Sequence, residues 1–273
     1  MPQRTVAKRR IVAVRDGAAA VKSDELAGEE PMEIRVDGQS VAVTMRTPGN
    51  DFDLAIGFCL TEGLLDGPSD VNTARYCVSD PAEQQYNVVD VGRRQAGPVD
   101  ERLRRNVYTT SSCGICGTTS IDAVRRTAAD VTDDQLVVTA QDVAALPERL
   151  RAAQQVFERT GGLHAAGLFD AACELHCLRE DVGRHNAVDK VIGWAVRDGQ
   201  LPLSGNVLVV SGRIAFEIVQ KALIAGLPMV VAISAPTALA VSLAEEAGMT
   251  LVGFVRGGDF NVYSHPHRIT GLA

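Results

Sequence analysis

The sequence reads as an α/β protein with a three-layer α/β/α core and a smaller β-rich N-terminal part, and three observations carry that reading. Over 206–256, short runs of Val, Leu and Ile alternate with helical segments in the order strand, helix, strand, helix, strand. Strands that are apolar without interruption are buried on both faces, as in a parallel sheet covered by helices. Before residue 109 the pattern changes to alternating apolar and polar runs with one main helix, and a glycine- and hydroxyl-rich loop with two cysteines separates the two regions. The expected parts are a poorly ordered segment at 1–30, a β-rich part at 31–108, the cysteine loop at 109–122 and the α/β/α core at 123–273.

Residues 1–30 are polar or alanine-rich without a sustained period, as expected of a loosely docked terminus. Ile34, Val36, Val41 and Val43 flank Asp37-Gly38, which predicts a β-hairpin with a tight turn. Asn50 or Asp51 is the expected N-cap of a helix over Phe52 to Leu65, closed by Gly63 and Gly67. Strands are expected at Asn87 to Val91 and at Asn106 to Thr110. In the second part, strands are expected at Asn206 to Ser211, Met229 to Ser234 and Leu251 to Arg256, with helices at Ile214 to Ala225 and Thr237 to Ala247.

Composition narrows the function. The 273 residues, 46% of them hydrophobic, suffice for a full-sized core and permit one large or two smaller domains. A formal charge of −7 argues against a generic nucleic-acid binder, which needs a basic face to displace counterions. No run approaches the roughly 18 apolar residues of a membrane span, and Arg4, Lys8, Arg9 and Arg10 lead into no signal-peptide core, so a cytoplasmic protein is expected. Six cysteines in a chain this long are too few and too unevenly spaced for a disulfide scaffold.

The loop Ser112-Cys113-Gly114-Ile115-Cys116-Gly117 holds two thiols, each followed by glycine, among residues with almost nothing to bury. Glycines let backbone amides turn toward one point, and converging N–H groups favour a thiolate. Four chemistries use such a CxxC. A dithiol oxidoreductase places it at the start of a helix with aromatic or proline neighbours, which this flank lacks. A structural zinc needs a second ligand pair, for which Cys173, His176 and Cys177 are the candidates. Ala171 to Leu178 alternates as a strand, however, and residues four apart on a strand lie about 13 Å apart, too far to share one tetrahedral zinc. Cys173 and Cys177 are therefore expected in the core, with Cys59 and Cys77 also structural, and no metal is expected. A zinc deaminase pairs His-x-Glu with Pro-Cys-x-x-Cys, whereas here His164 is followed by Ala165 and Ala166, and Ser112 stands in the proline position. The fourth chemistry is sulfur transfer, in which a thiolate accepts a sulfane sulfur and later yields it.

Other residues suggest a binding surface. The segment 180–190 opens a helix with the apolar stripe Val188, Val191, Ile192 and Ala195 and the polar residues Arg184, His185, Asp189 and Lys190. His185 and Asp189, four apart, are expected on one side, the carboxylate orienting the imidazole, against the plainer reading of a solvated face with an ion pair. Gly161 to Gly167 has no nucleotide-loop spacing, and His164 alone is the kind of histidine found in a core. Ser211-Gly212-Arg213 ends a strand and starts a helix, where amides and an arginine meet anions. Phe254, Val255, Arg256, Gly257, Gly258 and Asp259 leave the last strand at the edge ligands favour; Asp259 is able to accept from guanine N–H groups and Arg256 to meet a phosphate.

Taken together, SSCGICG at 111–117, GGLHAAGLFD at 161–170, EDVGRHNAVDKVIG at 180–193, SGRIAFEIVQKA at 211–222 and LVGFVRGGDFNVYSH at 251–265 resemble the FdhD family, the sulfur carriers that serve formate dehydrogenase. The resemblance runs in order from about residue 30 to 268 and leaves the N-terminal segment outside it. It implies a cytidine-deaminase-like fold, a homodimer, and a sulfurtransferase that takes sulfur from a cysteine desulfurase as a persulfide. The sulfur passes to the molybdenum cofactor, a bis(molybdopterin guanine dinucleotide), before insertion into formate dehydrogenase, whose activity depends on it. Cys113 matches the persulfide-bearing residue, Cys116 is its companion, and Phe254 to Asp259 matches the cofactor segment. The alternative is a non-catalytic chaperone for the same cofactor.

Overall fold

The structure, a computed structural model, describes residues 5–77, 86–95, 97 and 129–272. The cysteine loop with Cys113 and Cys116, and the strand expected at Asn106 to Thr110, lie outside the described residues.

The chain begins with β1 (Val6–Arg15) and β2 (Ala18–Ala27), an antiparallel pair closed by Asp16 and Gly17 at positive φ. The sequence pattern pointed to no element here. Most side chains on both strands are exposed, so no apolar alternation marks them; the Asp-Gly turn was the available signal.

The hairpin expected around Asp37-Gly38 is β3 (Glu30–Val36) and β4 (Gln39–Arg46), with both turn residues at positive φ. Helix α1 (Asp51–Thr61) follows, then β5 (Val71–Tyr76) and β6 (Val88–Arg93), giving a four-stranded sheet in the order β4-β3-β6-β5. Helix α1 is shorter than expected, and Asn50 at its N-cap sits at φ 55 without a side-chain cap bond. The Asp51 carboxylate instead receives the Gly49 N–H at 3.1 Å and Arg46 at 2.9 Å.

The remaining elements are β7 (Val138–Thr139), α2 (Ala140–Ala153), α3 (Gln155–Thr160), β8 (His164–Phe169), β9 (Leu175–Asp181) and α4 (Arg184–Arg197). They continue as β10 (Val207–Val210), α5 (Phe216–Ile224), β11 (Met229–Ala232), α6 (Ala238–Glu246), β12 (Thr250–Arg256), β13 (Asp259–Ser264) and β14 (Ile269–Thr270). The α/β class and the βαβαβ run are as expected. The large sheet has the order β13-β12-β11-β10-β8-β9, and only β10, β11 and β12 are parallel; β8, β9 and β13 add antiparallel edges.

Alternate residues of β10 divide the core. Leu208 and Val210 pack with α4, α5 and α6, while Val207 and Val209 pack with Val143, Leu146 and Leu150 of α2. Met32, Ile34, Val89 and Val91 of the small sheet join the first of these clusters through α1. Helices α1 and α4 cross backbone to backbone: a β-carbon on Gly57 would overlap the Asp189 carbonyl, and one on Gly193 the Asp53 carbonyl. Only glycine permits that approach.

Two local expectations change. Cys173 lies in a turn at φ 59 before β9 begins, and a register shift on β9 follows, so Cys173 packs on the α2 side of the sheet and Cys177 on the other. Both are buried, and burial pushes the Cys173 thiol up to about 11 and the Cys177 thiol up to about 12. Helix α4 starts at Arg184, because Glu180 and Asp181 still belong to β9.

Candidate functional site

Strand direction gathers the described motifs on one edge of the large sheet. The parallel strands β10, β11 and β12 run toward it, with Ser211 and Ser234 just after β10 and β11 and Arg256 at the end of β12. Because β8 is antiparallel to β10, it starts there with His164; β9 ends there at Asp181, and β13 starts there at Asp259. The carboxyl ends of parallel strands are where open α/β sheets receive ligands.

At the centre of this edge, Ser211 Oγ accepts from the Ala165 N–H at 2.9 Å and lies 3.4 Å from His164 Nδ1. Gly212 is buried against Arg184 and His164; a β-carbon there would touch both at 3.4 Å. Burial and the neighbouring Arg184 charge hold the His164 pKa below its usual value.

The first turn of α4 supplies Arg184 and His185. The expected pairing of His185 with Asp189 does not form. Asp189 is turned into the core, where it accepts from Thr61 Oγ1 at 2.8 Å and pairs with Lys221 at 3.0 Å. Burial works against the Lys221 charge, but Asp189 and Glu62 outweigh it and keep the ammonium protonated. His185 faces Glu217 of α5 instead, with Nε2 3.9 Å from the carboxylate, beyond hydrogen-bond reach. Burial, then the charges of Arg184 and Lys221, push the His185 pKa down to about 3, so the imidazole is neutral at ordinary pH. Arg184 Nε and His185 Nε2 are both buried without a hydrogen-bond partner among the described residues.

The polar face expected on this helix is therefore mostly interior. Asp181 accepts from the Thr47, Gly183 and Asn186 N–H groups and pairs with Lys190 at 2.7 Å. Lys190 also donates to the Thr47 carbonyl, and Asn186 to the Met45 carbonyl. These bonds tie the end of β4 to the start of α4 and set the position from which Arg184 and His185 reach the edge.

The segment from Phe254 to Asp259 is the turn between β12 and β13. Phe254, at φ 57, donates its N–H to the Ser234 carbonyl at 3.2 Å and exposes its ring, with Arg256 5.8 Å away over it. Gly257 and Gly258 make the turn at positive φ, with open space where a β-carbon would stand. Arg256 and Asp259 are exposed, whereas the Val255 side chain is fully buried in the α2-side core and has only its backbone to offer a ligand. Arg184, Arg213 and Arg256 thus share one edge, and none pairs with a carboxylate among the described residues.

Sequence reasoning missed Glu217, although it lies in the first turn of the helix after Ser211-Gly212-Arg213, where an acid also complements the helix dipole. No group of three or more His, Cys, Asp or Glu able to hold a metal occurs among the described residues. No helix among them is long and apolar enough to cross a membrane.

A model of the FdhD/NarQ family matches residues 27–270. A protein from Streptomyces avermitilis named sulfur carrier protein FdhD is 54% identical, over 97% of this chain and 96% of its own length. Proteins of the same name are 48% identical in Mycobacterium tuberculosis and 44% in Sulfolobus acidocaldarius, each over 97% of this chain and 98% of the relative. A solved chain from Desulfotalea psychrophila, described as a formate dehydrogenase accessory protein, is similar in fold, with a TM-score of 0.76 at 21% identity, covering 97% of this chain and 100% of that one.

Proposed function

The chain belongs to the FdhD/NarQ family, and from that premise we propose that it is a cytoplasmic sulfurtransferase acting as sulfur carrier for formate dehydrogenase. The observation that carries the reading is the coincidence of the Cys113-Gly114-Ile115-Cys116 loop with full-length similarity to proteins named sulfur carriers. The Cys113 thiolate attacks the outer sulfur of a cysteine desulfurase persulfide. A new S–S bond forms on Cys113 while the donor leaves as a thiolate, so no net electrons are exchanged. Cys116 then attacks the inner sulfur of Cys113, forming a Cys113–Cys116 disulfide and releasing hydrosulfide; a cellular thiol reductant restores the pair.

The acceptor in this reading is the molybdenum cofactor, a bis(molybdopterin guanine dinucleotide), handled as substrate before it enters formate dehydrogenase. A homodimer belongs to the same reading. The arginines at the sheet edge support this reading, since guanidinium groups without a carboxylate partner among the described residues suit phosphates, and the Gly257-Gly258 turn leaves room for a close approach beside Arg256 and Asp259.

The test is intact-protein mass spectrometry after incubation with a cysteine desulfurase and cysteine. Wild type is expected to gain one reductant-sensitive sulfur and Cys113→Ala none. No gain in wild type, while the desulfurase is itself loaded, overturns the carrier role and leaves a cofactor chaperone.

A further inference from the structure

The edge holds one carboxylate whose surroundings the proposed sulfur chemistry does not use. Glu217 stands in the first turn of α5 with its side chain only 17% exposed. His185 Nε2 lies 3.9 Å from its carboxylate, and burial keeps that imidazole neutral, so no ion pair forms. Lys221, one turn further along α5, is committed to Asp189, Glu62 and Thr61. Among the described residues Glu217 therefore accepts no hydrogen bond, and the facing His185 Nε2 and the Nε of Arg184, whose charge acts on His185, are equally unpaired. Half-buried polar groups left open on one edge are costly unless a ligand completes them.

We propose that Glu217 is the specificity-determining residue of this edge, its carboxylate accepting the ring N–H and the exocyclic amino N–H of a 2-amino-4-oxopyrimidine, the hydrogen-bonding edge shared by guanine and pterin rings. The proposal rests on the reading of the edge as the place where the guanine-containing substrate binds, and deepens it. A carboxylate offers two parallel acceptors to two adjacent donors. The same heterocyclic edge carries a carbonyl oxygen next to the ring N–H, an acceptor for the unpaired nitrogens of Arg184 or His185. Adenine presents an unprotonated ring nitrogen instead, and hypoxanthine lacks the amino group.

Asp259 is the competing reader, but it is exposed on the β12–β13 turn, where water competes for every bond. A hydrogen-bonding group discriminates strongly when an incorrect ligand leaves it buried and unpaired. Glu217, 17% exposed, comes much nearer that condition than Asp259. A purely structural acid at the start of α5 would alter stability without altering the choice among bases.

The experiment is equilibrium binding of GDP, IDP and ADP to the full-length protein, with neopterin as a phosphate-free probe carrying the same edge. Wild type is expected to prefer GDP over IDP by about tenfold or more and over ADP by more still, and the isosteric Glu217→Gln to bring the GDP/IDP ratio near one. Asp259→Asn should shift both affinities in parallel. Neopterin competing with GDP would assign the pocket to the pterin end as well; failure to compete would assign it to the guanine end, and both fit the shared edge. A wild-type GDP/IDP ratio in Glu217→Gln overturns the proposal, and if Asp259→Asn abolishes the preference the turn is the reader. No nucleotide or pterin binding by wild type also overturns it, while sulfur loading of Cys113 independently decides the carrier reading.

Discussion

Two groups of polar residues come from the same segment, 180–193, and end in opposite states. Asp181, Asn186, Asp189 and Lys190 finish in ion pairs and hydrogen bonds inside the molecule, most of them to the β4–α1 connection or to α1 and α5. Arg184 and His185, one helical turn away, keep buried nitrogens without partners among the described residues. Satisfied buried charges fix where elements sit, and removing one partner of such a pair commonly costs about 3–5 kcal/mol. Unsatisfied ones cost stability in the free protein and are retained where a ligand repays them. The difference divides the segment into a fastening half and a binding half, and substitutions should separate the two.

The largest effect is expected where the fastening half meets α1. Gly193→Val places a branched side chain on the Asp53 carbonyl of the facing helix, with backbone rather than a flexible side chain in the way. Destabilisation of at least about 3 kcal/mol is expected. Chemical denaturation of the variant and wild type checks this; an unchanged midpoint would mean that the helices are able to separate without loss, and the fastening role would be wrong.

The same division explains what could be read from sequence. The βαβαβ run was legible because Val207–Val210 and Met229–Ala232 are apolar without interruption and no other element accounts for that. The antiparallel edges were not, because β8 and β9 carry the same composition whichever way they run, and direction is decided by which neighbour they pair with. The motif at 180–193 could be singled out as chemically rich, but its polar residues carry no mark of burial. A helical period places Asp189 beside His185; only the positions of Thr61 and Lys221, far away in sequence, turn Asp189 inward. Glu217 was passed over for the same reason, since His185, which faces it, comes from another element.

A smaller effect, graded with pH, is expected from His185. Arg184 on its own helix, Lys221 and Glu217 on α5, and His164 on β8 surround it, and burial together with the cations lowers its folded pKa to about 3 against roughly 6.5 unfolded. Between those values the unfolded chain binds a proton that the folded chain does not. The contribution is complete above about pH 6.5 and is lost as pH falls toward 3, with a slope of at most about 1.4 kcal/mol per pH unit. Urea denaturation at a series of pH values should show a flatter profile for His185→Gln than for wild type over this window. Parallel profiles would mean that His185 takes up a proton in the fold as readily as in the unfolded chain, and would place it with the fastening residues.

The smallest effect on stability is expected at Arg184, and its smallness is the argument. If Arg184 belonged to the fastening half, Arg184→Gln would leave a buried acceptor unpaired and cost several kcal/mol, as at Lys190. Among the described residues it has no such acceptor, so Arg184→Gln should cost no more than about 0.5 kcal/mol of unfolding free energy, and any gain in stability reflects relief of its unpaired buried nitrogen. Removing the guanidinium also takes away a charge that holds His185 neutral, so the imidazole should titrate at a higher pH, which NMR of the ring protons would report. GDP affinity should fall by about tenfold or more, the equivalent of one lost charge-assisted hydrogen bond. A variant that is markedly destabilised yet binds GDP as wild type does would move Arg184 to the fastening group; unchanged stability with lost binding places Arg184 in the binding group.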